Sequence, residues 1–362
     1  ADHADVPATT CSLNSGTDAR QAENIFDDTS IAQKSTYPGC RSCLRQAFLL
    51  RGVPEAALDI SLASLSSSTV QQYNVTLKLW WQFCEDKILN YFEGGVTNVL
   101  EFLSEQFNKG AAYGSLNSHR SALSLFLGNN IGSDERVKRL LKGIFKLKPC
   151  FPKYSSTWDP KIVLNCIADW YPNKEINREK LTKKLVLLLT LCTAQRVQTL
   201  SKIRLDKMMI QSNGISFAID DILKTSAAGR EQPNMFLPYF RDDPRICPAI
   251  TIEDYLAVTS DDRPDNISNL LITVKRPYKS ATAQSISRWI KQGMAECGID
   301  IKKFSAHSTR HAATSSAAAQ GVSVDAIRKA AGWTETSKVF AKFYNRPLVD
   351  NYNLAEAILR NN

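Results

Sequence analysis

Five short segments in the second half of the sequence carry side chains that can act on an anion. Thr193-Ala194-Gln195-Arg196-Val197 closes a strongly apolar run of Leu185, Val186, Leu188, Leu189, Leu191 and Cys192. An arginine in that setting needs a counter-anion, because an unpaired buried charge is costly. A structural salt bridge would satisfy it, and so would a phosphate gripped by the guanidinium fork. Lys224 lies in the strand-turn-strand stretch Asp221-Ile222-Leu223-Lys224-Thr225-Ser226, where a lysine is usually only an edge charge. His307-Ser308-Thr309-Arg310-His311 opens a helix, and two of the chain's four histidines sit there. His307 and Arg310, three apart, lie close at the helix N-terminus, whose free N–H groups and positive dipole end favour an anion. A histidine can also move a proton near neutral pH. Gly332-Trp333 follows a helix that starts at Ser323 and Val324. By itself Trp333 reads as core, with an indole N–H able to donate to a phosphate oxygen. Tyr344, within Phe340-Ala341-Lys342-Phe343-Tyr344-Asn345-Arg346-Pro347, by itself reads as packing.

These side chains need elements to carry them. Residues 1–62 are rich in Ser, Thr, Ala and Asp and are expected to form a flexible N-terminal arm, with short helices near Ser42–Leu50 and Glu55–Ser64. Residues 63–148 carry helical spacing. One helix is capped by Ser68 and lines up Val70, Tyr73, Leu77, Trp80, Trp81 and Cys84. A second spans Thr97–Asn108, a third runs through Leu116, Leu123, Phe126 and Leu127, and a basic fourth carries Val137, Leu140, Leu141 and Ile144. Four amphipathic helices with short loops describe a small helical domain. Pro149, Pro152 and Ser155–Thr157 read as a linker over 149–158. The second domain, 159–362, is expected to hold helices at 160–170, 178–203, 246–258, 281–297, 308–320, 324–331, 337–345 and 350–360. Between them, Ile215, Phe217 and Ile219 alternate with polar residues, Gly229 turns the chain, and Asn234–Tyr239 returns as an antiparallel partner. The fold class is mainly α with a small antiparallel β-sheet, in two domains.

Bulk properties narrow the partners. The chain has 362 residues, 43% of them hydrophobic, and a formal charge of +9. The basic excess favours a polyanion. It is concentrated in Arg136, Lys138, Arg139, Lys142, Lys146, Lys148 and Lys153, a stretch without Asp or Glu. That stretch is either a solvated helix face and linker or a strap along a phosphate backbone. No apolar run approaches the roughly 18 residues of a membrane span, and the first thirty residues have no apolar centre, so no signal peptide is expected. Nine cysteines, mostly single and in apolar segments, suit a reducing compartment. The one CxxC, Cys40 and Cys43, has no second ligand pair nearby, so no metal site is expected.

In order, Arg196, Lys224, His307-x-x-Arg310, Gly332-Trp333 and Tyr344 resemble the C-terminal pattern of the tyrosine recombinase (phage integrase) superfamily. That pattern is an Arg in a T-G-x-R-like segment, a hairpin Lys, H-x-x-R, G-H or G-W, then Tyr. The stretch Ala306–Pro347 looks most like eukaryotic mobile-element recombinases of the Crypton or DIRS/Ngaro kind. The resemblance covers residues 68–362 and implies a helical, SAM-like core-binding domain and a catalytic domain clamping double-stranded DNA. The basic strap would lie where the two halves meet. It implies a site-specific recombinase or integrase that cuts and rejoins DNA through a 3′-phosphotyrosyl intermediate, without metal or other cofactor. Tyr344 would attack phosphorus, and Arg196 and Arg310 would neutralise the non-bridging oxygens. Lys224 would protonate the leaving 5′-oxygen, and His307 would assist proton transfer or bond the phosphate. Trp333 would pack by the nucleophile and donate to the phosphate. The apolar stripe Val349, Tyr352, Leu354, Ile358 and Leu359 implies a C-terminal helix docked on a neighbouring protomer, giving a homotetramer on DNA, in the nucleus if the source is eukaryotic. There are departures from the pattern. Ala194-Gln195 replaces a Gly-containing pair, Trp333 stands where many members have His, and Tyr344 lies slightly further from Trp333 than is commonest. Tyr352 is therefore a second candidate nucleophile. Two other readings stay open: a domesticated, non-catalytic DNA-binding protein of the same fold, and a type IB topoisomerase-like nicking and resealing enzyme.

Overall fold

A computed structural model describes residues 36–348 except 129, 152, 335, 336 and 339. It divides into two compact units, with the boundary in the chain between Phe151 and Pro152.

The first unit is helical: α1 (Cys40–Leu50), α2 (Glu55–Ala63), α3 (Ser67–Lys87), α4 (Val96–Asn108), α5 (Tyr113–Leu127) and α6 (Glu135–Leu147). Residues 40–63 depart from the expected flexible arm. Cys40, Cys43, Leu44 and Ala47 of α1 are buried in the same core as Trp80, Phe102, Leu123 and Phe126. Asn74 on α3 fastens this segment, its Oδ1 accepting from Tyr37 OH at 3.0 Å and from the Cys40 N–H at 3.1 Å. The sequence reading missed this because α1 buries small and sulfur-bearing side chains, a weak hydrophobic signal. The start of α3 also differs: Ser66, not Ser68, caps it by accepting from the Thr69 N–H at 3.2 Å. On α6, Val137, Leu141 and Ile144 face the core while Arg136, Lys138, Arg139, Lys142 and Lys146 are exposed.

In the second unit, α7 (Pro160–Ala168) precedes α8 (Arg178–Thr193) and the short α9 (Val197–Leu200). Strands β1 (Met208–Gln211), β2 (Gly214–Ala218) and β3 (Asn234–Pro238) follow, then α10 (Pro248–Thr259), α11 (Ala283–Glu296), α12 (Ser308–Ala319) and α13 (Val324–Ala330). Helix α8 is the hub. Leu181 and all of Leu185–Leu189 are inaccessible to solvent, the mark of a helix packed on every side. Strand β2 is central in an antiparallel β1-β2-β3 sheet, with Phe217 opposite Met208 and Met235.

Three expectations for this unit change. The helix expected over 178–203 breaks at Ala194, and β1 was not foreseen. The expected linker 149–158 is largely part of this unit: Tyr154, Thr157 and Trp158 are buried, and the Thr157 N–H donates to Pro347 O at 2.9 Å. The helix expected at 337–345 is a single π turn, Phe340–Tyr344. Helix 350–360 and Tyr352 lie outside the described residues, as do residues 1–35. Among the described residues no helix is long and apolar enough to cross a membrane.

Candidate active site

The C-terminal end of α13 organises the site. Helix ends leave carbonyls without intrahelical partners. Here the chain turns off the helix in a Schellman arrangement: Trp333 N–H donates to Arg328 O at 2.9 Å and Gly332 N–H to Lys329 O at 3.1 Å. Gly332 takes φ +64°, the left-handed conformation that a Cβ disfavours. Three consecutive carbonyls are then satisfied from three distant segments. Gln195 Nε2 donates to Ala330 O at 2.7 Å, Arg310 Nη2 to Ala331 O at 2.6 Å, and Arg230 Nη2 to Gly332 O at 3.0 Å. Cationic donors also suit the negative end of the helix dipole.

Arg310 stands in the first turn of α12 and is 1% exposed. Its Nη1 donates to Ala194 O at 2.7 Å. Its guanidinium lies over the Trp333 ring at 4.4 Å and the Tyr344 ring at 5.4 Å. Its Nε has no partner among the described residues. Burial, with the charge of Arg196 beside it, pushes its pKa down to about 10, the sign of a cation held short of negative charge.

Ala194 ends α8 in a left-handed conformation, φ 49° and ψ 23°. The chain then extends through Arg196, which precedes α9 and accepts the Thr199 N–H at 2.8 Å through its carbonyl. The Arg196 side chain is half-buried. Burial lowers its pKa, the Tyr344 phenol opposes that fall, and Arg230 adds to it. Among the described residues neither Arg196, Arg310 nor Lys224 is ion-paired with a carboxylate.

Tyr344 closes the group. Its OH and His307 Nε2 share a hydrogen bond of 2.8 Å. Its ring stacks on His311 at 4.3 Å and 19°, and contacts Trp333 at 4.8 Å. Ser315 Oγ donates to Tyr344 O at 2.6 Å and accepts the Arg346 N–H at 3.0 Å. His307 keeps an exposed edge, yet desolvation and the charges of Arg310, Arg196 and Lys224 all lower its pKa. It is therefore neutral near pH 7, and with its proton on Nδ1 it accepts from the phenol. Trp333 buries an indole N–H with no partner among the described residues. Lys224 is exposed, in a turn between β2 and β3 and not within a strand. The arrangement can hold a tetrahedral anion between Arg196, Arg310 and Trp333, with a phenol and a neutral imidazole at its rim.

Four of the six residues singled out in the sequence, His307, Arg310, Trp333 and Tyr344, touch here; among the described residues the Arg196 and Lys224 side chains bear on them through charge and not through a hydrogen bond or ring contact. Sequence reasoning missed Gln195, Arg230, His311 and Ser315 as parts of the site. His311 carried a signal, because it lies four residues after His307, on the same helix face. Burial pushes its pKa down to about 4. Arg230 carried none, since its partner Gly332 is 102 residues away. The basic strap is exposed throughout, but it is partly self-neutralised. Arg136 pairs with Asp134 at 3.0 Å and Lys138 with Glu135 at 2.8 Å. Lys148 Nζ donates to Gly110 O at 3.0 Å. Lys153 belongs to the second unit, its Nζ 5.3 Å from the centre of the Tyr154 ring.

Fold and site together define a protein built around a tyrosine and a cationic anion pocket. Comparison with known proteins gives this class a name. Residues 171–349 match the phage integrase family. The fold is similar to that of XerH site-specific recombinase bound to difH substrate in a pre-cleavage complex, with TM-score 0.57, 14% identity, and 88% of this chain and 94% of that one covered. It is similar to a lambda integrase fragment crystallised as a dimer on a COC′ core site, with TM-score 0.52, 14% identity, and 86% and 97% covered. It is also similar to the Tn1549 transposon integrase in complex with circular intermediate DNA, with TM-score 0.51, 12% identity, and 90% and 99% covered. No curated protein sequence matches significantly. The second unit carries a phage integrase domain over residues 171–349, and the chain has the fold of the tyrosine recombinases.

Proposed function

We propose that this recombinase cuts and rejoins double-stranded DNA at specific sites with Tyr344 as nucleophile. The phenolic oxygen forms a bond to the scissile phosphorus, and the bond from phosphorus to the 5′-oxygen breaks. The phenol's proton passes to His307 Nε2, and a proton from Lys224 Nζ goes to the departing 5′-oxygen. Arg196, Arg310 and the Trp333 indole N–H stabilise the charge on the non-bridging oxygens. Rejoining is the reverse, with a 5′-hydroxyl attacking the phosphotyrosine, so the bond energy is conserved. The observation that carries this reading is the 2.8 Å bond between His307 Nε2 and the Tyr344 hydroxyl, beside an arginine that lacks a carboxylate. It favours Tyr344 over Tyr352. The exposed cations of α6 and Lys153 would follow the duplex backbone, and the segment after Leu348 would link protomers into a tetramer on DNA. A mobile element in a eukaryotic nucleus is the setting proposed for it.

Incubation with a pool of random-sequence duplexes, each nicked one base from a fixed position, tests this. The nick lets the short 5′-hydroxyl strand diffuse away and traps the covalent adduct. The expected result is a tyrosine-linked DNA adduct enriched for particular sequences and absent from Tyr344→Phe. Adducts that persist in Tyr344→Phe would move the nucleophile elsewhere. DNA binding without any adduct would make this a non-catalytic binder, and adducts with no sequence enrichment would favour the topoisomerase reading.

A further inference from the structure

Among the described residues Lys224, like the Arg196 side chain, makes no hydrogen bond or ring contact. It is exposed, in a fifteen-residue connection (219–233) between β2 and β3. A general acid must nevertheless reach the leaving oxygen with its proton at the moment of bond cleavage. Something has to aim that connection, and Arg230 is placed to do so. Its Nη1 donates to Thr225 O at 3.0 Å, next to Lys224, and its Nη2 to Gly332 O at 3.0 Å, next to Trp333. One planar guanidinium thus spans the lysine's turn and the α13 cap that also holds Arg310 and Gln195. The turn has its own frame: Leu223 N–H donates to Ser226 Oγ at 2.8 Å, Ser226 N–H to Leu223 O at 3.0 Å, and Leu223 is buried. Within the second unit, no other side-chain hydrogen bond found among the described residues joins 223–230 to the α13 cap.

We infer that Arg230 is a positioning residue that docks the Lys224 turn onto the Gly332 carbonyl and so presents the general acid to the leaving 5′-oxygen. This rests on the general-acid reading of Lys224. Arg230 itself touches neither phosphate nor leaving group. The fork geometry is essential, because two carbonyls in different segments must be reached at once.

Two measurements test it. The first needs no DNA: hydrogen exchange of the free protein. In Arg230→Ala the amides of Leu223 and Ser226 should exchange roughly tenfold faster or more, while those of α8 stay unchanged. Arg230→Lys, which can reach only one carbonyl, should fall between. Unchanged exchange at Leu223 and Ser226 overturns the inference. The second uses the captured nicked duplex with either the natural 5′-oxygen or sulfur in its place at the scissile position. A thiol's pKa is about 8.5, against nearly 16 for water and alcohol-like hydroxyls, so the thiolate leaves without a proton donor. On oxygen, Lys224→Ala should lose roughly 100-fold or more of the cleavage rate, and Arg230→Ala roughly 10-fold. On sulfur, both should return to within a few-fold of wild type. A rescued Lys224→Ala with an unrescued Arg230→Ala overturns this inference alone. An unrescued Lys224→Ala overturns the general-acid reading and this inference with it.

Discussion

Replacing Arg310 by alanine separates what this residue does for the fold from what it does for the reaction. The change strands two main-chain carbonyls, Ala194 O and Ala331 O, at about 1–3 kcal/mol each when buried. It also removes the stacking over Trp333 and Tyr344, about 1 kcal/mol more. Opposing this, the fall in the Arg310 pKa from 12.5 to about 10 means that the folded protein disfavours the charge by roughly 3 kcal/mol. Deleting the guanidinium relieves that cost. The net loss is therefore modest, on the order of 0–4 kcal/mol, and the variant folds. For a unit of this size that is a fall in Tm of at most roughly 16 °C. DNA cleavage should drop by about 100-fold or more, as it does when a transition-state donor is lost. The assay pairs urea denaturation with covalent capture on the nicked duplex. Added sulfate supplies a third readout. It should raise the Tm of the wild type more than that of Arg310→Ala, because the anion relieves the clustered cations. An unfolded variant would show that the carbonyl contacts dominate. A folded variant that cleaves like the wild type would refute the anion pocket.

Other outcomes follow from the same geometry. Changing Lys142, Lys146 and Lys148 to Gln should weaken DNA binding across all sequences and flatten the plot of log affinity against log salt, by about one slope unit for each phosphate no longer neutralised; an unchanged slope in a titration series would remove the strap. His307 and His311 both have pKa values lowered by burial, His311 to about 4. The unfolded chain then binds more protons below about 6.5, so their contribution is complete above that pH and is lost as pH falls towards 4. Denaturation midpoints at pH 7 and pH 5 should show the loss, and His311→Phe should shrink it while keeping the ring stack on Tyr344. Gly332→Ala meets no atom closer than 3.7 Å, so its cost is conformational alone, about 1–2 kcal/mol, read as a lowered Tm with the Trp333 environment retained by fluorescence.

Much of this site was legible because it lies at helix ends that the sequence punctuates. Gly332 marks a C-terminal cap, and the spacing from His307 through Arg310 to His311 is that of one helix face. Ala194 hid the break between α8 and α9, because a left-handed residue without glycine gives no breaker signal. The apolar run before it therefore read on as helix to residue 203. The α1 segment was hidden by its composition, with two cysteines and an alanine packing beside a single leucine, Leu44. Arg230 and Gln195 were hidden for a deeper reason. Their partners are backbone carbonyls, which carry no residue identity, so no pattern in the sequence marks the contact. Backbone-directed side chains are visible only once the distant turn that offers the carbonyl is in place.

On the proposed mechanism, the electrostatics would keep Tyr344 inactive until DNA arrives. In the free protein His307 is a weak base, because burial first, and then the charges of Arg310, Arg196 and Lys224, disfavour its protonation. The Tyr344 phenol is bonded to it at 2.8 Å, yet moving the proton across would place a new positive charge among three others. A bound phosphodiester brings the negative charge that these cations lack. It cancels their repulsion of an imidazolium, raises the proton affinity of His307, and leaves desolvation as the main brake. In the proposed mechanism the same cations would then stabilise the charge that develops on the phosphate oxygens as Tyr344 attacks. Substrate binding and activation of the base would in this way be one electrostatic event. An Arg196→Gln variant should accordingly show a raised His307 pKa in the free protein, by NMR titration of the imidazole, even as its cleavage rate falls. A His307 pKa that does not move in that variant would break the link between the pocket's charge and the tyrosine's reactivity.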